Sequence, residues 1–439
     1  MLKKLLVILF FYSSYVHAET IKTDVLIIGG SPSGIAAAIQ CARSKVKTLL
    51  IAQNAWLEPL QANNMVTITH NRNLPSGLWG EFSGKIKDFY KSTPGYDTTY
   101  NAALQFEPFT GAAILKKMAD TVKNLTIKLN TPFKTIKKDG TGWEVSIIVN
   151  GKTDIVKTKV LIDATEKGEV VTKAGATFPA VFDSRRDNSG ETYRTSIAAG
   201  GELPGATNNV QPSVNYPPFP AYCIPMRNVV VRDADNLLVT EKVLPVNGNV
   251  QFLPVEMALG QGVGTVAAYC AFFKTTTKNL KVRIIQNELL DFKGYLLPFA
   301  DIKPGYRYIR AVQQIGATGL LKGVQSNEGL LFKPDAVVTT AEVKPVLTEV
   351  YSRAFLWFNR VKPGEKFTIG NLLSFISEIT LSEPQTLQLT MERDWQTKYQ
   401  FNTAFDMNSP VTRMEFAVLI NQLLNPFART VDLAGNLVY

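Results

Sequence analysis

Histidine is almost absent: the 439 residues hold two, His17 and His70, beside three cysteines, Cys41, Cys223 and Cys270. No Cys-x-x-Cys and no His-x-x-x-His spacing occurs, which leaves no recognisable zinc site. Three cysteines do not make a disulfide framework. A serine–histidine–aspartate mechanism would have to run through one histidine. Lys and Arg number 47 against 37 Asp and Glu, a formal charge of +10, yet no basic run of five or six residues marks a nucleic-acid arm. Past the N-terminus no apolar stretch approaches the roughly 20 residues that span a bilayer. With 45% hydrophobic and 10% aromatic residues the chain is also not low-complexity or disordered. Its length suggests about two or three domains.

What is present begins with a secretory pattern. Lys3 and Lys4 precede an unbroken apolar run over 5–12, and Val16-His17-Ala18 fits a small-residue cleavage site. Residues 1–18 are therefore expected to be a signal peptide, with the mature chain starting at Glu19, periplasmic or extracellular, and without a membrane span after cleavage. No twin arginine precedes the apolar run and no cysteine follows it for lipid attachment.

Asp24-Val25-Leu26-Ile27-Ile28 has the pattern of a buried strand. Gly29-Gly30-Ser31-Pro32-Ser33-Gly34 follows at once, then an alanine-rich helical stretch over 35–43 and a second strand over 47–51. This strand–turn–helix–strand order places a pyrophosphate at a helix N-terminus. A glycine-rich turn in that context is far more specific than the motif alone. Two positions depart from the pattern. Ser31 replaces the second glycine, and Ala52-Gln53 stands where an acidic residue would grip ribose hydroxyls. Gln53 can still donate and accept hydrogen bonds there.

Four further blocks carry a family resemblance. Ser76-Gly77-Leu78-Trp79-Gly80-Glu81-Phe82 is similar to an SGG-x-W-G-E-F segment, and Leu161-Ile162-Asp163-Ala164-Thr165-Glu166-Lys167-Gly168-Glu169 to an IDATE-x-GD stretch. Asn236-Leu237-Leu238-Val239 precedes Met257-Ala258-Leu259-Gly260-Gln261-Gly262-Val263-Gly264-Thr265, which is similar to a closing MALGQAAGTA helix. With these blocks the chain over roughly 22–292 resembles the secreted branch of the FAD-dependent oxidoreductases, which have a glutathione-reductase-like flavin fold. The resemblance implies FAD as cofactor, bound by Gly29, Gly30, Ser31, Pro32, Ser33, Gly34, Gln53, Ala164, Thr165, Gly168, Gly260, Gly262 and Gly264. It also implies a substrate lobe over roughly 61–112 and 172–232. Departures from the family are Ala52 for a carboxylate, Glu58-Pro59 for two glycines, and Gln251 for an arginine.

The catalytic residues are not legible. His70 and Glu81 are candidate proton acceptors; a solvent-facing loop histidine and a structural ion pair are their plainer readings. Cys41 is expected to pack as a small apolar group.

From about residue 298 the texture changes. Phe332, Val338, Thr339 and Glu342 recur without gaps as Phe405, Val411, Thr412 and Glu415, an offset of 73. Such a repeat signals a repeated structural unit, and it resembles the S-layer homology module. The TRAE-like motif of that module reads Thr339-Thr340-Ala341-Glu342 and Thr412-Arg413-Met414-Glu415. The resemblance implies cell-wall or other polysaccharide as a partner. The bare pattern implies only a capping box at a helix start.

The expected fold class is α/β: a Rossmann-like FAD-binding domain with a substrate lobe over 19–293, then a mostly α-helical repeat domain over 298–439. The expected function is an exported FAD-dependent oxidoreductase that moves a hydride from an unknown small-molecule substrate to flavin. The open alternative is a non-catalytic exported protein that keeps the flavin fold as a scaffold for carbohydrate or a partner. A polysaccharide lyase is a weaker third reading, for want of a visible catalytic constellation.

Overall fold

The structure, a computed structural model, describes residues 19–54, 65–69, 72–99, 102–182, 190–201, 222–244, 250–326 and 329–439. The signal-like residues 1–18, Glu58, Pro59 and His70 lie outside them.

Strand β1 (Thr20–Ile28) ends in the fully buried Val25, Leu26, Ile27 and Ile28. Helix α1 (Pro32–Arg43) returns the chain to β2 (Thr48–Ile51), which pairs with β1 in parallel. Ser31 caps α1, accepting from Gly34 N at 3.1 Å, and Pro32 pre-sets its first turn. The short strands β3 (Val66–Ile68) and β4 (Leu104–Phe106) make a separate ribbon, flanked by α2 (Gly77–Tyr90) and α3 (Pro108–Asp120).

Next, β5 (Leu125–Lys128) joins β2 in parallel. An antiparallel meander follows, β6 (Phe133–Asp139), β7 (Gly142–Val149) and β8 (Lys152–Asp163). Strand β8 lies parallel to β1 along its length. Beyond α4 (Glu169–Lys173) and α5 (Gly190–Arg194), β9 (Ser196–Gly200) pairs with β10 (Tyr222–Pro225). Strand β11 (Leu237–Val239) then joins the C-terminal end of β8 in parallel. The sheet order is β5-β2-β1-β8-β7-β6, with β11 added on β8. This is the expected Rossmann-like α/β architecture.

Helix α6 (Leu253–Phe272) is buried over nearly its whole circumference, and α7 (Val282–Asp291) follows it. Gly260, Gly262 and Gly264 make that burial possible. A Cβ on Gly260 would stand 2.0 Å from Ser33 O, one on Gly264 2.6 Å from Ala37 O, and one on Gly262 2.5 Å from Ile197 O. The helix thus lies backbone to backbone against α1 and β9.

The C-terminal unit holds α8 (Ile309–Thr318), a ribbon of β12 (Val324–Ser326) and β13 (Gly329–Leu331), and five more helices: α9 (Thr340–Val350), α10 (Ala354–Val361), α11 (Ile369–Thr380), α12 (Pro384–Thr397) and α13 (Arg413–Leu423). Its sequence shows two repeat copies; its structure shows three equivalent helix starts. Thr339, Thr368 and Thr412 cap α9, α11 and α13 through the amides of Glu342, Asn371 and Glu415. The residues just before these caps close a ring of backbone hydrogen bonds. Val338 N donates to Val411 O, Val411 N to Phe367 O, and Phe367 N to Val338 O, at 3.0, 2.9 and 2.9 Å. The middle copy escapes the alignment because Asn371 replaces the glutamate and its spacing differs.

Buried Arg194 joins the two units: it donates to Glu349, to Thr318 O at 3.1 Å and to Gly435 O at 3.3 Å. Among the described residues no helix is long and apolar enough to cross a membrane.

Candidate functional site

The carboxyl ends of three parallel strands converge, since Ile28 of β1 and Val239 of β11 both register with Asp163 of β8. In open parallel sheets the crevice beyond such ends is where ligands bind. Gly29 leaves β1 at φ +125°, and a Cβ there would stand 2.0 Å from Ala164 O. Only glycine lets the two strand ends meet this closely. A Cβ on Gly34 would stand 2.7 Å from Ala164 Cβ, and one on Gly30 3.1 Å from Ala52 Cβ. The turn 29–34 is therefore a close-fitted backbone loop that opens α1 toward this crevice.

Asp163 shapes the opposite wall. Its carboxylate accepts from Thr165 N (3.0 Å), Thr165 Oγ1 (2.6 Å) and Val171 N (2.9 Å). Burial nonetheless raises its pKa above the ordinary carboxylate value. Ala164 and Thr165 are buried there, and Gly168 turns at φ +70° with no room for a Cβ against Phe178. At the end of β2, Gln53 Nε2 donates to Glu169 Oε2 at 2.9 Å. A carboxylate thus stands beside Gln53, brought by α4 although position 52 is alanine.

Several expected site residues have other work. Ser31 Oγ caps α1, accepting from Gly34 N, and stands 2.9 Å from Ser33 Oγ. Gly260, Gly262 and Gly264 do not open onto the crevice: they are filled by α1 and β9, and their smallness serves helix packing. Glu81 pairs with Arg43 at 2.7 Å, at the C-terminal end of α1 and about 16 Å of helix away from the turn. Gln251 donates to Thr67 O on the β3–β4 ribbon. Cys41 is buried, with Sγ 3.2 Å from Gly264 O.

Two site residues escaped the sequence reading, Glu241 and Glu256. Glu241 follows β11 by two positions, and its Oε1 accepts from Ser33 Oγ at 2.5 Å. Ser33 Oγ also stands 2.8 Å from Thr240 Oγ1 and 2.9 Å from Ser31 Oγ. Burial raises the Glu241 pKa, with Asp163 and Glu166 adding to the rise. Glu256, in the first turn of α6, is pushed up to about 8 by burial and by the charge of Glu241. Nothing in the residue types around them marks these two positions; the packing of α6 on α1 brings them to the crevice.

The backbone turn, the N-terminal end of α1 and the polar pair after β2 fit a dinucleotide. The sequence profile described as FAD dependent oxidoreductase matches residues 24–199 and 193–289, more than half of the chain. No curated protein matches. Among solved structures the chain is similar to p-nitrophenol 4-monooxygenase PnpA from Pseudomonas putida DLL-E4. The identity is 15% over 38% of this chain and 46% of that one, with a TM-score of 0.28. It is also similar to the bacillithiol disulfide reductase Bdr (YpdA) from Staphylococcus aureus, 18% identical over 33% and 38%, TM-score 0.24. The flavin-dependent monooxygenase PieE, solved with FAD and substrate, is 16% identical over 36% and 33%, TM-score 0.27. The chain spans less than half of each of these proteins, and likenesses of this size say nothing of its reaction. The profile match, over a sheet and turn of the matching architecture, assigns the chain to the FAD-dependent oxidoreductase family, whose cofactor is FAD.

Proposed function

We propose that this protein is an exported flavoenzyme that oxidises a small molecule. FAD, when bound, supplies a ring that accepts a hydride and passes the electrons on. The chain's own residues bind and orient. The amides of Gly30, Ser31 and Ser33 and the positive end of α1 would face the pyrophosphate, since Pro32 has no N–H and the amides of Gly29 and Gly34 are donated to Ile51 O and Ser31 Oγ. Gln53 and Glu169 stand at the end of β2 to hydrogen-bond ribose hydroxyls. Ala164 and Thr165 keep the end of β8 low, and Asp163 holds Thr165 in place. The observation that carries the reading is Gly29, whose φ of +125° and missing Cβ let the turn close on Ala164.

The alternative, a non-catalytic scaffold, draws on one observation: the Glu241 carboxylate rests on the turn that phosphates would occupy. One experiment separates the two. Purified mature protein is incubated with FAD, passed through gel filtration and scanned in the visible range. A near-stoichiometric flavin band is expected, and Gly29→Val should abolish it. A colourless wild-type protein at every pH tried would leave the scaffold reading.

Export rests on residues 1–18, and fractionation checks it: a mature N-terminus at Glu19 outside the cytoplasm is expected. Polysaccharide binding by the C-terminal unit rests on the resemblance of its repeats. Arg413 does not support it, because this arginine is buried, donating to Glu342, Phe332 O and Lys322 O. Failure of cell-wall glycans to retain the full chain would remove that proposal.

A further inference from the structure

A partly buried carboxyl group already rests on the turn of α1 that receives phosphates. Ser33 lies in the first helical turn, and Ser31 caps the same turn. The Glu241 carboxylate accepts from Ser33 Oγ at 2.5 Å, so it sits at the positive end of the helix. Its backbone is held there: Thr240 N donates to Asp163 O at 3.0 Å as β11 leaves the sheet. Ser33 and Ser31 hydrogen-bond Glu241, and the charged groups that act on it among the described residues are acidic. Asp163 and Glu166 act on it from the end of β8, and Glu256 from the start of α6. The Asp163 oxygens are taken by Thr165 and Val171. Lys242, the next residue, lies 5.2 Å over the Phe178 ring. A pyrophosphate arriving at this turn therefore meets a carboxylate already hydrogen-bonded to it.

We propose that Glu241 is an internal anion that competes with the pyrophosphate of FAD for the N-terminal turn of α1, so that FAD is taken up together with a proton held by the Glu241–Glu256 pair. The inference rests on the reading that FAD binds at this turn. Protonating the pair removes the repulsion and frees Ser33 to donate to phosphate. Burial makes both carboxyls hold their protons more tightly than ordinary glutamates, Glu256 up to about 8, and that value sets the pH range of the test. The pyrophosphate of FAD stays fully ionised across that range, so the titrating partner is the protein. The sign follows: a dianion bound beside the pair raises its pKa further, binding takes up a proton, and affinity falls as pH rises above about 8.

The test is FAD affinity by fluorescence titration at pH 6 and pH 9. Wild-type Kd should rise about tenfold between them, as uptake of up to one proton requires. At pH 9 Glu241→Gln should bind about tenfold tighter than wild type, which is modest for one like charge at contact distance. The Glu241→Gln, Glu256→Gln double variant should bind equally at both pH values. Wild-type protein alone supplies a second readout: about three-quarters of a proton taken up per FAD in weakly buffered solution at pH 8.5. An unchanged wild-type Kd with no proton uptake overturns the gate and leaves the cofactor site standing. Absence of FAD binding by wild type at pH 6 and by Glu241→Gln overturns both.

Discussion

At Glu256 a single carboxyl couples the site to stability. In the unfolded chain it titrates near 4.5, whereas in the folded chain burial and Glu241 push it to about 8. The folded state thus holds the proton more tightly. The stability this gives is full below about 4.5 and is lost as pH rises toward 8. For the flavin-free protein the loss between pH 5 and 8.5 should be roughly 2–4 kcal/mol, less than the full shift implies because the side chain is only partly buried. Glu256→Gln should match wild type at pH 5 and keep its melting temperature at pH 8.5. Parallel melting curves for the two proteins across this range would refute the assignment. Residue identity alone does not reveal this carboxyl: in sequence Glu256 is one polar position in an apolar helix start.

At the level of elements, the pairing of α1 with α6 decides how much was readable. The strand, the turn and α1 are local, and their order in the sequence matches the structure to within a few residues. The three glycines of α6 are just as visible, but their smallness has two explanations, close approach of a ligand or of another backbone. The structure supplies the second. A test follows from the geometry. Gly260→Ala places a Cβ 2.0 Å from Ser33 O, so α6 must move away from the first turn of α1. Overpacking of this kind costs about 1–3 kcal/mol, and urea denaturation should show it as a lower midpoint with an unchanged slope. A midpoint equal to wild type would mean the helices are looser than described. The repeats of the C-terminal unit teach a similar point. Two copies were legible because Thr and Glu recur at fixed spacing; the third was hidden because Asn371 does the same capping with a different side chain.

Across the whole molecule, Arg194 ties the flavin-binding unit to the C-terminal one through Glu349 and two carbonyls. Replacing it by Met leaves those acceptors without their donor and should cost about 2 kcal/mol. If the two units then melt separately, calorimetry will show two transitions in place of one; a single unshifted transition would deny Arg194 this role. The hydrogen-bonded ring of Val338, Phe367 and Val411 has a different consequence, one of timing. Three segments close it, and the one that carries Val411 is made last. A growing polypeptide that stops before Val411 has one side of the triangle, Phe367 N to Val338 O, and leaves Val338 N and Phe367 O without their partners. The three helix starts of the C-terminal unit therefore cannot lock together until the segment that carries Val411 has been made, however early the first two are ready.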